Sequence, residues 1–330
     1  MIKKTANKVF SGISKKNICI IGDLMLDIYL LGDVVRISPE APVQVFEKTR
    51  SLYRLGGSAN VGLNVKTLGA NPYLIGVIGN DDEGKALKRE FGNQMISTDG
   101  IIISKDRPTT AKTRVISASH HLIRIDSESK QDIDKNTARK VISIFKSNIK
   151  NFSAVILQDY NKGVLTKDVI EEIIKISNEN KVKVFVDPKF FNFYEYKNVF
   201  AFKPNKKELE EASGMKPRTD AELNEMCFEL IEEINCDNLI LTLGEHGIRI
   251  FEKTRKEIKI ESIQTRARKV SDVSGAGDTV ISTMAVCVAG GASLKDSVFI
   301  ANIAAGLVVE EVGIVPIGKK QLLEHINNHL

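Results

Sequence analysis

The sequence has no tryptophan, only four cysteines and eight prolines in 330 residues, and no long uninterrupted apolar run. Four scattered cysteines exclude a disulfide framework and leave no zinc-binding pair. Apolar runs that end well before about 18 residues exclude a membrane span. With 42% hydrophobic and 27% charged residues, disordered and collagen-like chains are excluded as well. We therefore expect a globular cytoplasmic protein, since reduced cysteines are typical of that compartment.

The positive charge is concentrated at one end of the chain. The formal net charge is +5, and residues 1–16 hold five lysines and no acidic residue. The rest of the chain is balanced in charge, which argues against a nucleic-acid groove. We predict a solvated basic tail over residues 1–16 and one folded domain over residues 17–330.

Short β-branched runs alternate with amphipathic helical segments along the chain. The expected buried strands are residues 18–21, 73–78, 154–157, 182–186, 199–202 and 239–243. The expected helices are residues 58–68, 84–95, 133–149, 167–178 and 221–234. This alternation predicts an α/β fold in which helices cover both faces of a mostly parallel sheet.

Two segments depart from this alternation. Residues 33–54 and 109–126 contain strand-like stretches of alternating polar and apolar residues with no helix between them. Alternation is typical of strands with one face in water, so we predict a small antiparallel sheet beside the main domain. Such a sheet is suited to act as a lid over a site at the ends of the main strands.

The most informative motif lies late in the chain. Gly275-Ala276-Gly277 precedes Asp278 and a small, apolar run that predicts a buried helix. A helix N-terminus with glycines presents free N–H groups to an anion such as phosphate. A carboxylate beside a phosphate needs a task, and accepting a proton from an attacking hydroxyl is one. The alternative is that the glycines cap the helix while Asp278 stabilises its dipole.

Polar residues also cluster near the start of the chain. Asp23 and Asp27 follow the first predicted strand, and Gly57 and Asn60 lie where the next helix opens. Carboxylate and amide groups at strand ends suit the hydroxyls of a sugar. An aspartate after a strand also serves simply to cap a turn, so both interpretations of Asp27 stay open.

A third polar group lies in the middle of the chain. Asn205 and Glu208, three residues apart at a helix start, can hold a hydrated Mg²⁺ or form a capping box. The loop at 242–247 follows another strand and can face phosphate through Gly244, or be a plain turn. The Walker A loop, the Gly-x-Gly-x-x-Gly dinucleotide loop and the protein-kinase motifs are missing from the sequence.

In combination, the motifs at residues 56–60, 205–208 and 275–278 resemble those of the ribokinase-like (PfkB) carbohydrate kinases. The resemblance runs from about residue 17 to about residue 326. It implies a three-layer α/β/α fold with a small β lid. Further segments are similar to the kinase half of bacterial heptose enzymes, namely residues 22–29, 36–43, 122–126, 158–163 and 187–189.

This resemblance implies an ATP-dependent kinase that phosphorylates the anomeric hydroxyl of D-glycero-D-manno-heptose 7-phosphate. The 1,7-bisphosphate product would feed ADP-heptose and lipopolysaccharide core synthesis. The alternatives are a kinase of the same family for ribose, fructose or a fructose phosphate, and a non-catalytic sugar-binding module. The resemblance also implies ATP and Mg²⁺ as cofactors and a homodimer through the lid strands. Whether a monovalent cation acts near Asp272 stays open.

The resemblance assigns roles to individual residues. Asp278 is the general base, and the backbone of Gly275, Ala276 and Gly277 binds the transferred phosphoryl group. The residues assigned to the sugar are Asp23, Asp27, Gly57, Asn60 and Asp159. The residues assigned to the nucleotide are Lys189, Asn205, Glu208, Thr242, Gly244, Gly247 and Asn302, with Asn205 and Glu208 organising Mg²⁺ through phosphates and water.

A phosphorylated substrate requires a cation in its pocket. The candidates are Arg114, Arg124, Lys112, Lys162 and Lys189. Arg114 is favoured because a guanidinium binds phosphate through two parallel hydrogen bonds.

The sequence departs from the family pattern in two places. Phe190 stands where the family usually has glycine. The chain also ends at Leu330 without a nucleotidyltransferase motif. We therefore expect kinase activity only.

Overall fold

The computed structural model describes residues 2–118, 120–265, 275–310 and 315–329. The strands of the larger sheet are β1 (Asn17–Gly22), β4 (Asn71–Gly79), β5 (Ile101–Ser104), β8 (Ala154–Gln158), β9 (Val184–Asp187), β10 (Ala201–Phe202), β11 (Asn238–Thr242), β12 (Ile248–Lys253) and β13 (Ile258–Ile263). Within the described ranges these nine strands lie in the order β13-β12-β11-β10-β9-β8-β1-β4-β5. The strands from β11 to β5 in this order pair in parallel, and β12 and β13 add an antiparallel edge.

Helices cover both faces of this sheet. They are α1 (Ile2–Gly12), α2 (Ser58–Thr67), α3 (Asp82–Asn93), α4 (Lys135–Asn148), α5 (Lys167–Glu179), α6 (Lys206–Ser213), α7 (Asp220–Ile234), α8 (Ala276–Ala289), α9 (Leu294–Val309) and α10 (Lys319–His329). Ile18 and Ile20 of β1 pack with α2, α8 and α9 on one face, while Cys19 and Ile21 pack with α4 and α5 on the other. The expected three-layer α/β fold is therefore confirmed. Among the described helices, none combines the length and apolar character needed to cross a membrane.

The smaller sheet contains the two segments that lack helices. Its strands are β2 (Leu24–Ile37), β3 (Gln44–Gly57), β6 (Thr110–Ser117) and β7 (His120–Ser127), in the order β3-β2-β6-β7. The β2–β3 and β6–β7 pairs are antiparallel, whereas β2 and β6 pair in parallel. A parallel pair requires a long connection, and here that connection includes α2, β4, α3 and β5.

The N-terminal segment differs from the solvated tail that we expected. Residues 2–12 form α1, in which Ala6, Val9 and Phe10 are buried against the core that includes α9 and α10. The lysines lie on the outer face, so the charge run marks one face of an amphipathic helix. Spaced three to four residues apart, the apolar positions 6, 9, 10 and 13 are the signal for this helix.

We expect Phe10→Leu to lower the free energy of unfolding by about 1 kcal/mol, because it removes buried aromatic carbon and leaves a small void. Lys8→Ala, on the exposed face of the same helix, is the matched control and should change stability by less than about 0.5 kcal/mol. Urea unfolding of both variants measures the difference. Equal midpoints for Phe10→Leu and the parent chain would show that α1 does not contribute to the folded core.

Candidate active site

A polar cavity lies at the carboxyl ends of the central parallel strands. Its volume is about 200 Å³, and its lining consists of polar, charged and glycine residues: Gln158, Tyr160, Asp187, Lys189, Lys203, Asn205, Glu208, Thr242, Gly275, Gly277 and Asp278. The chain leaves β1 toward β4 on one side and later returns to β8 on the other. Ligands of open α/β sheets bind outside the strand ends where the strand order reverses in this way.

Asp278 lies in the first turn of α8, directly after the glycine motif. Gly275 is the N-cap residue with φ of +80°, a left-handed conformation that glycine adopts without strain. The first N–H groups of a helix have no partner within the helix and carry its positive dipole end. Because Gly275 and Gly277 line the cavity, an anion there can approach these groups closely.

The carboxylate of Asp278 is buried and held on both oxygens. Asn60 Nδ2 donates to Oδ2 at 2.7 Å, and the Tyr160 hydroxyl donates to Oδ1 at 2.7 Å. Burial raises the pKa of Asp278 from 3.8 to about 6, and the negative charge of Asp187 adds to the rise. The donors Asn60 and Tyr160 and the charge of Lys203 oppose it. A base with a pKa near 6 is deprotonated at neutral pH yet able to take a proton.

Asn60 reaches Asp278 because α2 packs directly on α8. The helix begins after Gly57, whose φ of +57° turns the chain out of β3. A side chain at that position would place Cβ 2.5 Å from the carbonyl oxygen of Asp23, so only glycine fits. Farther along the same helix contact, the Thr279 hydroxyl donates to Asn64 Oδ1 at 3.2 Å.

Asp187 and Lys203 line the cavity, and the sequence analysis assigned no role to either residue. Lys203 Nζ pairs with Asp187 Oδ1 at 2.9 Å, and both side chains are almost fully buried. A Cβ atom on Gly277 would lie 3.6 Å from Lys203 Nζ, so the cation lies against the glycine turn. Gln158 Nε2 donates to Asp187 at 3.1 Å, while Gln158 Oε1 is buried without a hydrogen-bond partner. Such an acceptor beside the cavity is available to a substrate group.

Asn205 and Glu208 form a capping box at the start of α6. Asn205 Oδ1 accepts from the Glu208 N–H at 2.8 Å, and Glu208 Oε2 accepts from the Asn205 N–H at 2.9 Å. The other Glu208 oxygen pairs with Lys189. Both residues line the cavity, and each oxygen keeps a second lone pair. One carboxylate and one amide fit a hydrated Mg²⁺ that takes its remaining ligands from water and phosphate. The described residues contain no cluster of three or more His, Cys, Asp or Glu that would hold a metal alone.

Asp27 and Arg114 meet on the smaller sheet. Asp27 lies within β2, which begins at Leu24, earlier than the residue 33 that we expected. It is buried and pairs with Arg114 from the adjacent strand β6. The Arg114 guanidinium lies 5.3 Å from the centre of the Tyr29 ring. The turn-capping alternative for Asp27 is therefore wrong, because the residue sits inside a strand.

Three of the four other candidate cations are also paired. Arg124 binds Asp126 at 2.9 Å, Lys162 binds Glu128 at 2.7 Å, and Lys189 binds Glu208. Lys189 alone among these three lines the cavity.

Asp23 and Asp159 have partners that differ from the sugar contacts we expected. The buried Asp23 carboxylate accepts the backbone N–H groups of Tyr160, Lys162 and Val164 at 2.9, 3.1 and 3.2 Å. Asp159 accepts the Tyr196 hydroxyl at 2.7 Å and a backbone N–H at 2.8 Å, and burial raises its pKa to about 6. Asp23 holds the loop that follows β8 by accepting its backbone N–H groups. Asp159 lies within this loop, and its oxygens accept hydrogen bonds from Tyr196 and from the loop backbone.

Three of the expected nucleotide residues, Gly244, Gly247 and Asn302, are not part of the cavity lining. Thr242, at the end of β11, lines the cavity, whereas Gly244 and Gly247 belong to the turn that follows it. Asn302 of α9 donates to the Gln264 carbonyl at 2.8 Å and lies outside the cavity lining. The loop near Asp272, where a monovalent cation was considered, lies outside the described residues.

The structure thus adds four side chains to the expected site: Gln158, Tyr160, Asp187 and Lys203. Three of them end or directly follow a buried strand, at β8, β9 and β10. A polar residue at the carboxyl end of an apolar parallel strand was the available signal. Without the strand order, that signal could not show that the three strand ends meet.

Comparison with known proteins relates this geometry to a family. Residues 15–317 match the family described as pfkB family carbohydrate kinase. The bifunctional protein HldE of Desulfatibacillum aliphaticivorans is 38% identical, over 94% of this chain and 63% of the relative. HldE of Aliarcobacter butzleri is 41% identical, over 91% of this chain and 62% of the relative. The chain spans less than two thirds of the length of these two relatives.

Solved structures share the fold at low sequence identity. Ribokinase of Arabidopsis thaliana, complexed with ribose and ATP, has a TM-score of 0.72 at 19% identity and covers 94% of this chain and 98% of its own. Phosphofructokinase-2 from Escherichia coli, in complex with potassium, has a TM-score of 0.75 at 16% identity, over 94% and 97% of the two chains.

Proposed function

We propose, since the chain belongs to the pfkB family of carbohydrate kinases, that this sugar kinase transfers the γ-phosphoryl group of ATP to the anomeric hydroxyl of D-glycero-D-manno-heptose 7-phosphate. The product is the 1,7-bisphosphate, a precursor of ADP-heptose and the lipopolysaccharide core. The observation that carries the proposal is the buried Asp278 carboxylate beside the glycine turn at the cavity. The heptose assignment is supported by the sequence motifs at residues 22–29, 36–43 and 122–126 and by the relatives named HldE.

In this reaction Asp278 accepts the proton of the attacking hydroxyl. Its pKa of about 6 leaves it charged at neutral pH, and it lies in the first turn of α8, directly after the glycine turn that we assign to the phosphoryl group. The N–H groups at Gly275 and Gly277 stabilise charge on the phosphoryl oxygens as the bond to ADP breaks. Lys203 adds a fixed cation against the same turn.

Asn205 and Glu208 would hold Mg²⁺ through water and the nucleotide phosphates. When bound, the ion neutralises phosphate charge and orients the transferred group. Lys189, paired with Glu208, lies at the same end of the cavity and can contact a phosphate oxygen. Thr242 lies at the same end of the cavity, where its backbone forms an isolated parallel β-bridge with that of Asn205.

The sugar end of the site is built on the smaller sheet and α2. We assign Asp27, Gly57 and Asn60 to the sugar, and Arg114 to the substrate phosphate. Arg114 uses one nitrogen for Asp27, so its remaining N–H groups are available to an anion. A guanidinium fixed in this way binds phosphate bidentately with little loss of side-chain freedom.

The smaller sheet also supports a homodimer as the working form. Val35, Ile37, Ile123 and Ile125 on β2 and β7 are each at least half exposed. Apolar side chains on a sheet with a free edge strand are typical of surfaces that pair with a second copy. As a consumer of ATP, the enzyme is proposed to work in the cytoplasm.

A panel of sugars tests the substrate assignment. Coupled ADP release is measured with D-glycero-D-manno-heptose 7-phosphate, its unphosphorylated form, ribose, fructose and fructose 6-phosphate. We expect the highest kcat/KM for the heptose phosphate, about tenfold to a hundredfold above the unphosphorylated heptose, because a charged hydrogen bond to phosphate is lost.

The panel also decides between the alternatives. Faster turnover of ribose, fructose or fructose 6-phosphate would reassign the substrate within the same family. Sugar binding without ADP release would instead identify a non-catalytic sugar-binding module.

A further inference from the structure

The backbone of the loop after β8 is held by several hydrogen bonds. Asp23 accepts the backbone N–H groups of Tyr160, Lys162 and Val164 in this loop. Arg107 contacts the Lys162 carbonyl in the same loop. A short segment with this many fixed backbone groups has little freedom to move. The position of the Tyr160 side chain is therefore set by the fold before any substrate binds.

Tyr160, in the loop after β8, and Asn60, in α2, each donate a hydrogen bond to a different oxygen of the Asp278 carboxylate. The Tyr160 hydroxyl lies 2.7 Å from Asp278 Oδ1, and Asn60 Nδ2 lies 2.7 Å from Oδ2. Gln158 Nε2 is a third, longer donor at 3.4 Å from Oδ1. Two short donors on different oxygens fix both the position and the rotation of the carboxylate plane.

We propose that Tyr160 is a positioning residue for phosphoryl transfer: its hydroxyl holds Asp278 Oδ1 and stabilises the charged carboxylate that accepts the proton. The inference rests on the proposed function, in which Asp278 is the base. Burial raises the pKa of Tyr160 well above its ordinary value, so the hydroxyl remains a donor at every pH at which the enzyme works.

This role has a direct effect on the protonation of Asp278. A donor to the charged form lowers the pKa of a carboxyl group, and here it opposes the rise caused by burial. The charged groups that act on the pKa of Asp278 are Asp187, at the end of β9, and Lys203, directly after β10. Lys189 lies 6.0 Å from the Tyr160 ring. Removing the hydroxyl leaves all of these charges in place.

Tyr160→Phe tests the proposal, with Tyr196→Phe as the matched control. Both remove one buried hydroxyl that donates at 2.7 Å to an aspartate whose pKa is raised to about 6. For Tyr160→Phe we expect the acid limb of the kcat/KM profile to move up by about one pH unit. Activity then falls about fivefold at pH 6, approaches a tenfold fall at about pH 5, and changes little at pH 8.5. Tyr196→Phe should keep the acid limb of the parent enzyme.

A second readout does not depend on any sugar. The ¹³C signal of the Asp278 carboxyl, assigned by its loss in Asp278→Asn, is titrated in the free enzyme. It should titrate about one pH unit higher in Tyr160→Phe and unchanged in Tyr196→Phe. If the parent enzyme turns over no sugar, the proposed function fails while this titration still decides the role of Tyr160.

A lower rate at every pH with an unmoved acid limb and an unmoved carboxyl titration would overturn the proposal, because a merely structural hydroxyl gives that result. Should Tyr160→Phe fail to fold, 3-fluorotyrosine at position 160 replaces it. This residue keeps the hydroxyl and is a stronger donor, so the limb and the titration should move down. No downward movement would equally overturn the proposal.

Discussion

Replacing Asp278 by asparagine should reduce kcat about a thousandfold, because the attacking hydroxyl loses the group that takes its proton. The substitution keeps the shape of the side chain, and an amide can still accept from Asn60 and face the Tyr160 hydroxyl. The residual rate then reflects the glycine turn, Lys203 and the bound Mg²⁺. Affinity for nucleotide should change by less than about threefold, since Asp278 binds the acceptor side of the site.

Single-turnover kinetics measures the chemical step, and calorimetric titration with Mg-ATP measures binding. Asp237→Asn, the same substitution at an exposed aspartate before β11, is the control and should keep the parent kcat. A parent-like kcat for Asp278→Asn would exclude Asp278 as the base.

The same substitution should raise the free energy of unfolding at neutral pH. The pKa of Asp278 is about 6 in the folded protein against 3.8 ordinarily, so folding at pH 7 forces a charge into an unfavourable place. The advantage of asparagine should be fully present above pH 6 and shrink as the pH falls toward 3.8. A catalytic group that lowers stability in this way is typical of active sites.

Removing the charge of Lys203 should harm both stability and turnover. Lys203→Met leaves Asp187 buried and unpaired except for Gln158, which should lower the free energy of unfolding by about 3 kcal/mol. It should also lower kcat at least a hundredfold, because the cation against the glycine turn is lost.

A double variant separates these two effects. Asp187→Asn combined with Lys203→Met removes both charges, so most of the lost stability should return in urea unfolding. The turnover should stay low, since the cation that lies against the glycine turn is still missing. If turnover recovered together with stability, Lys203 would be a structural residue only.

Much of the site could be inferred from the order of residues along the chain. The glycine turn before Asp278 could be recognised in the sequence because glycine, a predicted helix start and an acidic residue occur within four residues. The strands at β1, β4, β8 and β11 were recognisable because each contains a short run rich in isoleucine, valine and leucine, and β1 and β4 end at a glycine. The beginning of β2 was missed, since residues 24–31 are almost continuously apolar and lack the alternation that marks the rest of that strand.

Partner choice among polar residues could not be inferred in the same way. Asp23 and Asp27 lie four residues apart with similar surroundings in sequence, yet one binds backbone N–H groups after β8 and the other binds Arg114. Gln158, Asp187 and Lys203 come from three strand ends that only the sheet order brings together. Similarly, the basic run at residues 1–16 has the composition of a tail but the apolar spacing of a packed helix.

The sequence by itself determined the layered α/β architecture and predicted the helix start proposed to bind an anion and the aspartate proposed as the base, because each depends on residues that are neighbours in the chain. Only the tertiary structure decided which donors hold that base, which carboxylates support a loop and which cation lies against the glycine turn. Those outcomes depend on distances between residues more than a hundred positions apart in several cases, such as Asn60 and Asp278, and close packing of helices on a sheet sets those distances.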